Sequence, residues 1–101
     1  MTYTIVAASP ETGELGVGIA TYSLGVGGYC PFFARSRGAI STQAFANPRL
    51  GPIAADAIAA GSTVDGALEM LAAADPDFDY RQVCIVSAHG QVAMHTGPST
   101  R

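Results

Sequence analysis

The sequence predicts an α+β protein whose sheets are antiparallel. Segments with alternating apolar residues come in pairs around glycine- and proline-rich turns, which is typical of β-hairpins. Two apolar stripes at helical spacing follow one another in the middle of the chain, without the regular strand–helix alternation of a doubly wound sheet. The predicted order is β-β, β-β, α-α, β-β, in a layered sandwich whose sheet faces bury each other while the helices cover one outer side.

The first hairpin is predicted at the start of the chain. Thr2–Ala8 is rich in β-branched and aromatic residues, and Ser9–Gly13 has the composition of a turn. Leu15–Ala20 then alternates large apolar residues with glycine and alanine. The face of small residues suits a close approach by another layer or a ligand, and the alternative is a loose edge strand.

The second hairpin is predicted after a glycine-rich loop. Leu24–Tyr29 lacks the lysine and the spacing of a phosphate-binding loop, so a connecting loop is the simpler interpretation. Phe32–Arg35 and Ala39–Phe45 have the composition of short strands, and Gly38 separates them. These two strands would pair with each other.

A helix pair and a third hairpin are predicted in the second half. Gly51-Pro52 would start the first helix with proline at its first position, and Gly61 would end it. Ser62 or Thr63 would cap the second helix, which Asp75-Pro76 would end. The two apolar stripes are Leu50, Ile53, Ala54, Ala57 and Ile58, and then Val64, Ala67, Leu68, Leu71 and Ala72. Asp75, Asp77, Asp79 and Tyr80 are interpreted as a solvated linker before strands at Gln82–Ser87 and Gln91–His95.

Composition excludes several classes of function. The net charge is -3 and all the basic residues are arginines, so a nucleic-acid partner is not expected. Cys30 and Cys84 fit no metal-binding spacing, and neither a metal nor a cofactor is predicted. Without a signal peptide, a membrane-length apolar run or a disulfide framework, a cytoplasmic protein is expected. Only 13% of the residues are charged, about half the usual ~25%, which predicts apolar surface covered by a homo-oligomer partner or a second-half subunit.

Three separated stretches resemble one family. They are TYTIVAASPETGELGVGIA, STQAFANPRLGP, and the pair Arg81-Gln82 with the later HTG. Together they resemble the N-terminal-nucleophile (Ntn) hydrolase-like family known as domain of unknown function 1028, along nearly all 101 residues. The resemblance implies an αββα sandwich of which residues 1–101 are a single partial domain, the first half. It also implies a superfamily of amidases and peptidases, without naming a reaction.

Thr2 is the candidate nucleophile under this resemblance. An Ntn hydrolase uses a Thr, Ser or Cys whose own free α-amine is the base. Thr2 follows Met1 directly, so removal of Met1 would make it N-terminal. The chain contains no lysine to lower the pKa of the nucleophile, and a threonine here is also an ordinary strand residue. Both interpretations stay open.

Charged and hydroxyl residues near the first strands are further candidates. Arg35 could replace the missing lysine electrostatically as a catalytic residue, or it could be a solvated surface arginine. Thr21 and Ser23 end the second strand, where similar enzymes orient the nucleophile or bind substrate. The aspartate that the proteasome pattern would have there is absent.

The stretch around the first helix start supplies the remaining candidates. Gln43 is predicted to be catalytic, and Asn47 and Arg49 could bind substrate where an oxyanion hole forms at Gly51. The alternative is a turn in which Asn47 bonds its own backbone and Arg49 is exposed. His95 could be a general base or a substrate ligand, or it could be structural.

These residues predict a hydrolase of an amide or related C–N bond whose substrate the sequence does not name. One alternative is a non-catalytic oligomerising or small-molecule-binding module that keeps the fold. Another is a fragment or processed subunit that needs a second half.

Overall fold

The computed structural model describes residues 2–21, 25, 30–35, 37–44 and 47–100, with Thr2 described by its backbone. The architecture is α+β with antiparallel sheets and two helices, as predicted. The elements are β1 (Thr2–Ala8), β2 (Leu15–Thr21), β3 (Pro31–Ala34), β4 (Gly38–Gln43), α1 (Leu50–Ala59), α2 (Val64–Ala74), a short 3-10 helix (Phe78–Tyr80), β5 (Gln82–Ser87) and β6 (Val92–Thr96). No helix in the described part of the chain is both long and apolar enough to cross a bilayer.

Two sheets are formed. β1 and β2 form a two-stranded sheet, and the other strands form a four-stranded sheet in the order β3-β4-β5-β6. The register of the larger sheet places Ser41 opposite Cys84, and Cys84 opposite Met94. The turn of the first hairpin is closed by bonds between Ser9 and both Gly13 and Glu14, and Gly13 takes the positive φ of 76° that glycine tolerates best.

The ends of the two helices are stabilised by backbone hydrogen bonds and, at the start of α2, by one threonine side chain. α1 begins at Leu50, so Pro52 is its third residue and not its first. Proline is tolerated there because N–H groups in the first turn have no partner within the helix. α1 ends in a Schellman arrangement, with Gly61 at φ 99° and the N–H of Ser62 bonded to a carbonyl in the last turn. The Thr63 hydroxyl accepts the N–H of Gly66 at 3.0 Å and caps α2.

The four-stranded sheet is covered differently on its two faces. α1 and α2 pack on one face, where they enclose the hydrophobic core with Ile40, Val83 and Ile85. The β1–β2 hairpin packs on the other face, mainly over β4 and β5. Because side chains alternate along a strand, the residues between these core positions face the hairpin.

Several local predictions are corrected by the structure. Asp75 is not part of a solvated linker: its side chain is buried and paired with Arg81. Ala72 is exposed although the stripe predicted burial, because α2 buries a narrower face. β4 ends at Gln43, where Ala44 takes a positive φ of 55° that ends the extended strand, and β6 runs one residue later than predicted. The predicted loop Leu24–Tyr29 lies outside the described residues except for Gly25.

Candidate functional site

Five strand ends meet at one end of the sandwich. β1 begins at Thr2, which pairs with Thr21 at the end of β2. In the larger sheet, Gln43 at the end of β4 pairs with Gln82 at the start of β5, and Gln82 pairs with Thr96 at the end of β6. The antiparallel register therefore gathers polar residues that are far apart in the sequence.

A chain of side-chain hydrogen bonds joins the two sheets at this end. The hydroxyl of Thr4 donates to the Gln43 side-chain oxygen, and Gln43 Nε2 donates to Gln82 Oε1 at 2.6 Å. Gln82 Nε2 in turn donates to the hydroxyl of Thr96 at 3.1 Å. Gln43 is only 8% exposed, so this chain satisfies a buried amide and fixes its orientation. Each carboxamide nitrogen keeps a second N–H that these bonds do not use.

A cavity of about 200 Å³ lies beside this chain, between β1 and the middle of the larger sheet. Its lining is Tyr3, Thr4, Ser41, Gln43, Gln82, Val83, Cys84 and Met94. Ser41 is 2% exposed, and its hydroxyl has no hydrogen-bond partner among the described residues. Within the described lining no side chain carries a charge at neutral pH, so the cavity is polar but uncharged.

The described cysteines are held in their neutral form. Burial raises the pKa of Cys84, which lines the cavity, and it also raises the pKa of Cys30. A thiol with a raised pKa is a poor nucleophile, because the thiolate is the reactive species. The described residues also include no group of three or more His, Cys, Asp or Glu side chains that could hold a metal ion.

Arg35 lies at the opposite end of the sandwich. It is an exposed residue just after β3, in the connection to Gly38 at the start of β4. Gln43 is at the other end of β4, five residues further on, or about 17 Å at the usual rise of a strand. The structure therefore does not bring Arg35 and Gln43 together.

Asn47 and Arg49 have the geometry of the turn alternative. The Asn47 side-chain oxygen accepts the backbone N–H of Arg49 at 3.2 Å, and Arg49 is exposed. The Asn47 amide also donates to Asp75 at 3.5 Å. The pKa of Asp75 is lowered, first by its hydrogen bond with Arg81 and then by the Asp77 N–H and the Asn47 amide, against the opposing effect of burial. These contacts connect the starts of α1 and β5.

His95 lies on the helix face of the sheet, away from the cavity. Its register partner is Val83, which belongs to the core that the helices cover. The His95 Nε2 is 3.0 Å from the carbonyl oxygen of Phe78, and the two rings stack with centroids 4.0 Å apart. His95 therefore joins the 3-10 helix to β6.

Of the remaining candidate residues, two lie at the polar end of the sandwich and one lies outside the described residues. Thr2 and Thr21 are paired at the polar end through their backbones, while Ser23 lies outside the described residues. Sequence reasoning missed Thr4, Ser41 and Gln82 as site residues. The alternation of side chains along a strand could have indicated Ser41, because residues two apart share a face and Ser41 is two residues before Gln43.

Comparison with known proteins identifies the family. The model of a family of unknown function, DUF1028, matches residues 2–101. The crystal structure of protein SPO2555 from Silicibacter pomeroyi, described with the same family, matches with a TM-score of 0.91 at 30% identity. That match covers 99% of this chain and 45% of the SPO2555 chain, so this chain spans less than half the length of that relative. The curated proteins contain no match. The chain belongs to the DUF1028 family of unknown function.

Proposed function

We propose that this chain forms part of an N-terminal-nucleophile-type hydrolase, with an αββα sandwich, that acts on an amide or related C–N bond. The observation that carries the proposal is the position of Thr2. It begins β1 at the end of the sandwich where Gln43, Gln82 and Thr96 form a polar chain with Thr4. A nucleophile at the start of β1 would have hydrogen-bond donors close by, and the four described side chains of this polar chain are all uncharged.

The proposed reaction has two steps. After removal of Met1, the Thr2 hydroxyl attacks the carbonyl carbon of the substrate, and the α-amine takes the hydroxyl proton. The C–N bond breaks, the amine leaves with that proton, and an ester on Thr2 remains. Water then hydrolyses the ester, which releases the acid and restores Thr2. The second N–H of the Gln43 carboxamide is the proposed donor to the oxyanion in both steps.

The missing lysine gives this proposal a specific pH dependence. The chain contains no lysine, so no ammonium side chain of its own can lower the pKa of the Thr2 α-amine, and the ordinary value for such an amine is about 7.7 to 8.0. The amine must be unprotonated to act as a base. Hydrolysis should therefore rise with pH through this range and level off above it.

The test combines intact-mass spectrometry with an assay on a panel of small amides. The purified protein should lack Met1, and Thr2→Val should reduce hydrolysis at least about a thousandfold, because valine keeps the branched shape but lacks the hydroxyl. Thr2→Ser is the matched control and should keep measurable activity. Full activity in protein that retains Met1 would rule out this mechanism.

A non-catalytic module is the second candidate, and the surface supports it. Large apolar side chains are exposed on the hairpin and on β6, namely Tyr3, Ile5, Val92 and Met94. These would be covered in a homo-oligomer or by a second half, consistent with the greater length of SPO2555. Light scattering after size-exclusion chromatography, with a small-molecule binding screen, tests this alternative. A strict monomer that binds nothing would count against it.

For either function the proposed location is the cytoplasm, since both described cysteines are free thiols.

A further inference from the structure

We propose that the cavity between β1 and the four-stranded sheet binds an uncharged amide group, with the Ser41 hydroxyl as its main hydrogen-bonding partner. This inference deepens the proposed hydrolase function, because it names the kind of substrate group that would be held next to the polar end of the sandwich. Binding itself does not require that Thr2 react, so the two proposals can fail separately.

The absence of charged side chains from the described lining favours a neutral ligand. The described polar groups around the cavity are hydroxyls, carboxamides and one thiol, with no guanidinium or carboxylate among them. The thiol of Cys84 stays protonated because burial raises its pKa. An ionised ligand would lose its hydration here without gaining an opposite charge, which is unfavourable in a partly buried site. A neutral ligand avoids this cost.

The unpartnered hydroxyl of Ser41 indicates where the ligand bonds. Ser41 is 2% exposed and lines the cavity, yet its oxygen has no partner among the described residues. A buried hydroxyl without a partner is unfavourable and uncommon, so an occupant that bonds to it would remove the penalty. A hydroxyl can both donate and accept, and an amide group can offer it either an oxygen or an N–H.

The other lining residues match the remainder of such a group. The side-chain amides of Gln43 and Gln82 each use one N–H in the hydrogen-bond chain from Thr4 to Thr96. The second N–H of each amide can therefore donate to a ligand. Met94 adds an apolar wall for a short alkyl chain. The volume of about 200 Å³ is several times the ~30 Å³ share of one water molecule and below the ~300 Å³ of drug-sized sites. It suits a group the size of one side chain.

The probes are three compounds of nearly the same shape that differ in charge: isobutyramide, isobutyrate and isobutylammonium. Each is titrated into the full chain, and binding is followed by the amide resonances of Ser41 and Cys84 in nitrogen–proton correlation spectra. Isobutyramide should produce saturable shifts at both residues, with a Kd at least tenfold lower than either charged compound. Equal or tighter binding of a charged compound, or no saturable shift with isobutyramide, would overturn the proposal.

Paired variants locate the interaction. Ser41→Ala should weaken isobutyramide binding about fivefold, the loss expected for one neutral hydrogen bond. Thr42→Val is the matched control, because Thr42 also has a buried hydroxyl without a described partner but belongs to the other face of β4. It should change the Kd less than twofold. Equal effects of the two variants would reject Ser41 as the binding partner.

The Thr2→Val variant separates this proposal from the proposed hydrolase function. It should bind isobutyramide as the unmodified protein does, whether or not either protein hydrolyses amides. Binding without any hydrolysis would leave the cavity assignment intact and remove the catalytic one. If the protein hydrolyses amides but Ser41→Ala leaves the Kd of isobutyramide unchanged, the catalytic assignment stands and the cavity assignment fails.

Discussion

The two faces of the four-stranded sheet differ in chemistry although the same strands supply both. On the helix face, Ile40, Val83 and Ile85 are fully buried in an apolar core. On the hairpin face, Ser41 and Cys84 line a polar cavity one residue away along the same strands. The period of two in a β-strand thus lets one sheet hold the fold together on one side and present a site on the other.

The difference follows from what covers each face. Two helices pack across the inner residues of several strands, and they exclude water there. The hairpin is only two strands wide and packs mainly over β4 and β5, so Met94 on β6 remains 65% exposed. A polar residue facing the hairpin can reach a partner, as Gln43 does, or a cavity, as Ser41 does. On the helix face, by contrast, the hydroxyl of Thr42 is buried and has no partner among the described residues.

The largest expected effect contrasts neighbouring residues on β5. Ile85→Ala should reduce the free energy of unfolding by about 4 kcal/mol, because it leaves a cavity in the closed core. Cys84→Ala should cost about 1 kcal/mol or less, because its side chain is half-buried and already borders a cavity. Urea unfolding followed by circular dichroism measures both values.

The ratio between the losses of unfolding free energy in Ile85→Ala and Cys84→Ala tests the difference in packing between the two faces. Similar losses from both variants would mean that the hairpin face is packed as tightly as the helix face. In that case the cavity would not persist in solution, and the contrast between the faces would be lost.

The next largest effect tests the clamp between Asp75 and Arg81 at the edge of the helix layer. The Asp75 side chain is buried and accepts from Arg81 Nε at 2.8 Å. Asp75→Asn should cost about 3 kcal/mol at pH 7, near the lower end for breaking a buried pair because Arg81 is partly exposed. Asp77→Asn is the control: its side chain is 66% exposed and 3.9 Å from Arg81, so it should cost under about 0.5 kcal/mol.

The clamp also predicts a direction of pH dependence. The pKa of Asp75 is lower in the folded protein, mainly because of Arg81, than in the unfolded chain. Its stabilisation should therefore be complete above the unfolded pKa of about 3.9 and be lost as pH falls through the folded value. Unfolding of Asp75→Asn should lack this part of the acid dependence. An identical acid profile for the variant and the unmodified protein would contradict the assignment.

Local patterns in the sequence were enough to predict most of the fold. The bounds of β1 and β5 are those predicted, Gly61 ends α1 as expected, and the cap of α2 is Thr63, one of the two residues predicted for it. These features depend on residues that are close in the chain. The start of α1 was predicted two residues late, because proline is tolerated at more than one position of a first turn.

The candidate site was harder to predict because it depends on pairing between distant strands. Gln43 was singled out, but its partners Thr4 and Gln82 lie 39 residues away on either side. The prediction of a solvated linker at Asp75 is wrong because alternating aspartates before a strand are typical of exposed chain. Only the position of Arg81, which pairs with Asp75, shows that this carboxylate is buried. Ser41 shares a face of β4 with Gln43, but nothing in a strand sequence shows that its hydroxyl lacks a partner.

The smallest expected effect compares the two unpartnered hydroxyls of β4. Thr42→Val keeps the branched shape and removes a hydroxyl enclosed on the helix face, so it should raise the free energy of unfolding by about 1 kcal/mol, or Tm by about 5 °C. Ser41→Ala should change stability by less than about 0.5 kcal/mol, because its side chain borders a cavity and a small shift would let water bond to the hydroxyl. Differential scanning calorimetry of both variants without ligand measures the difference. A loss of stability in Thr42→Val would mean that its hydroxyl is satisfied in solution, and that the helix face is less strictly apolar than the contrast between the faces requires.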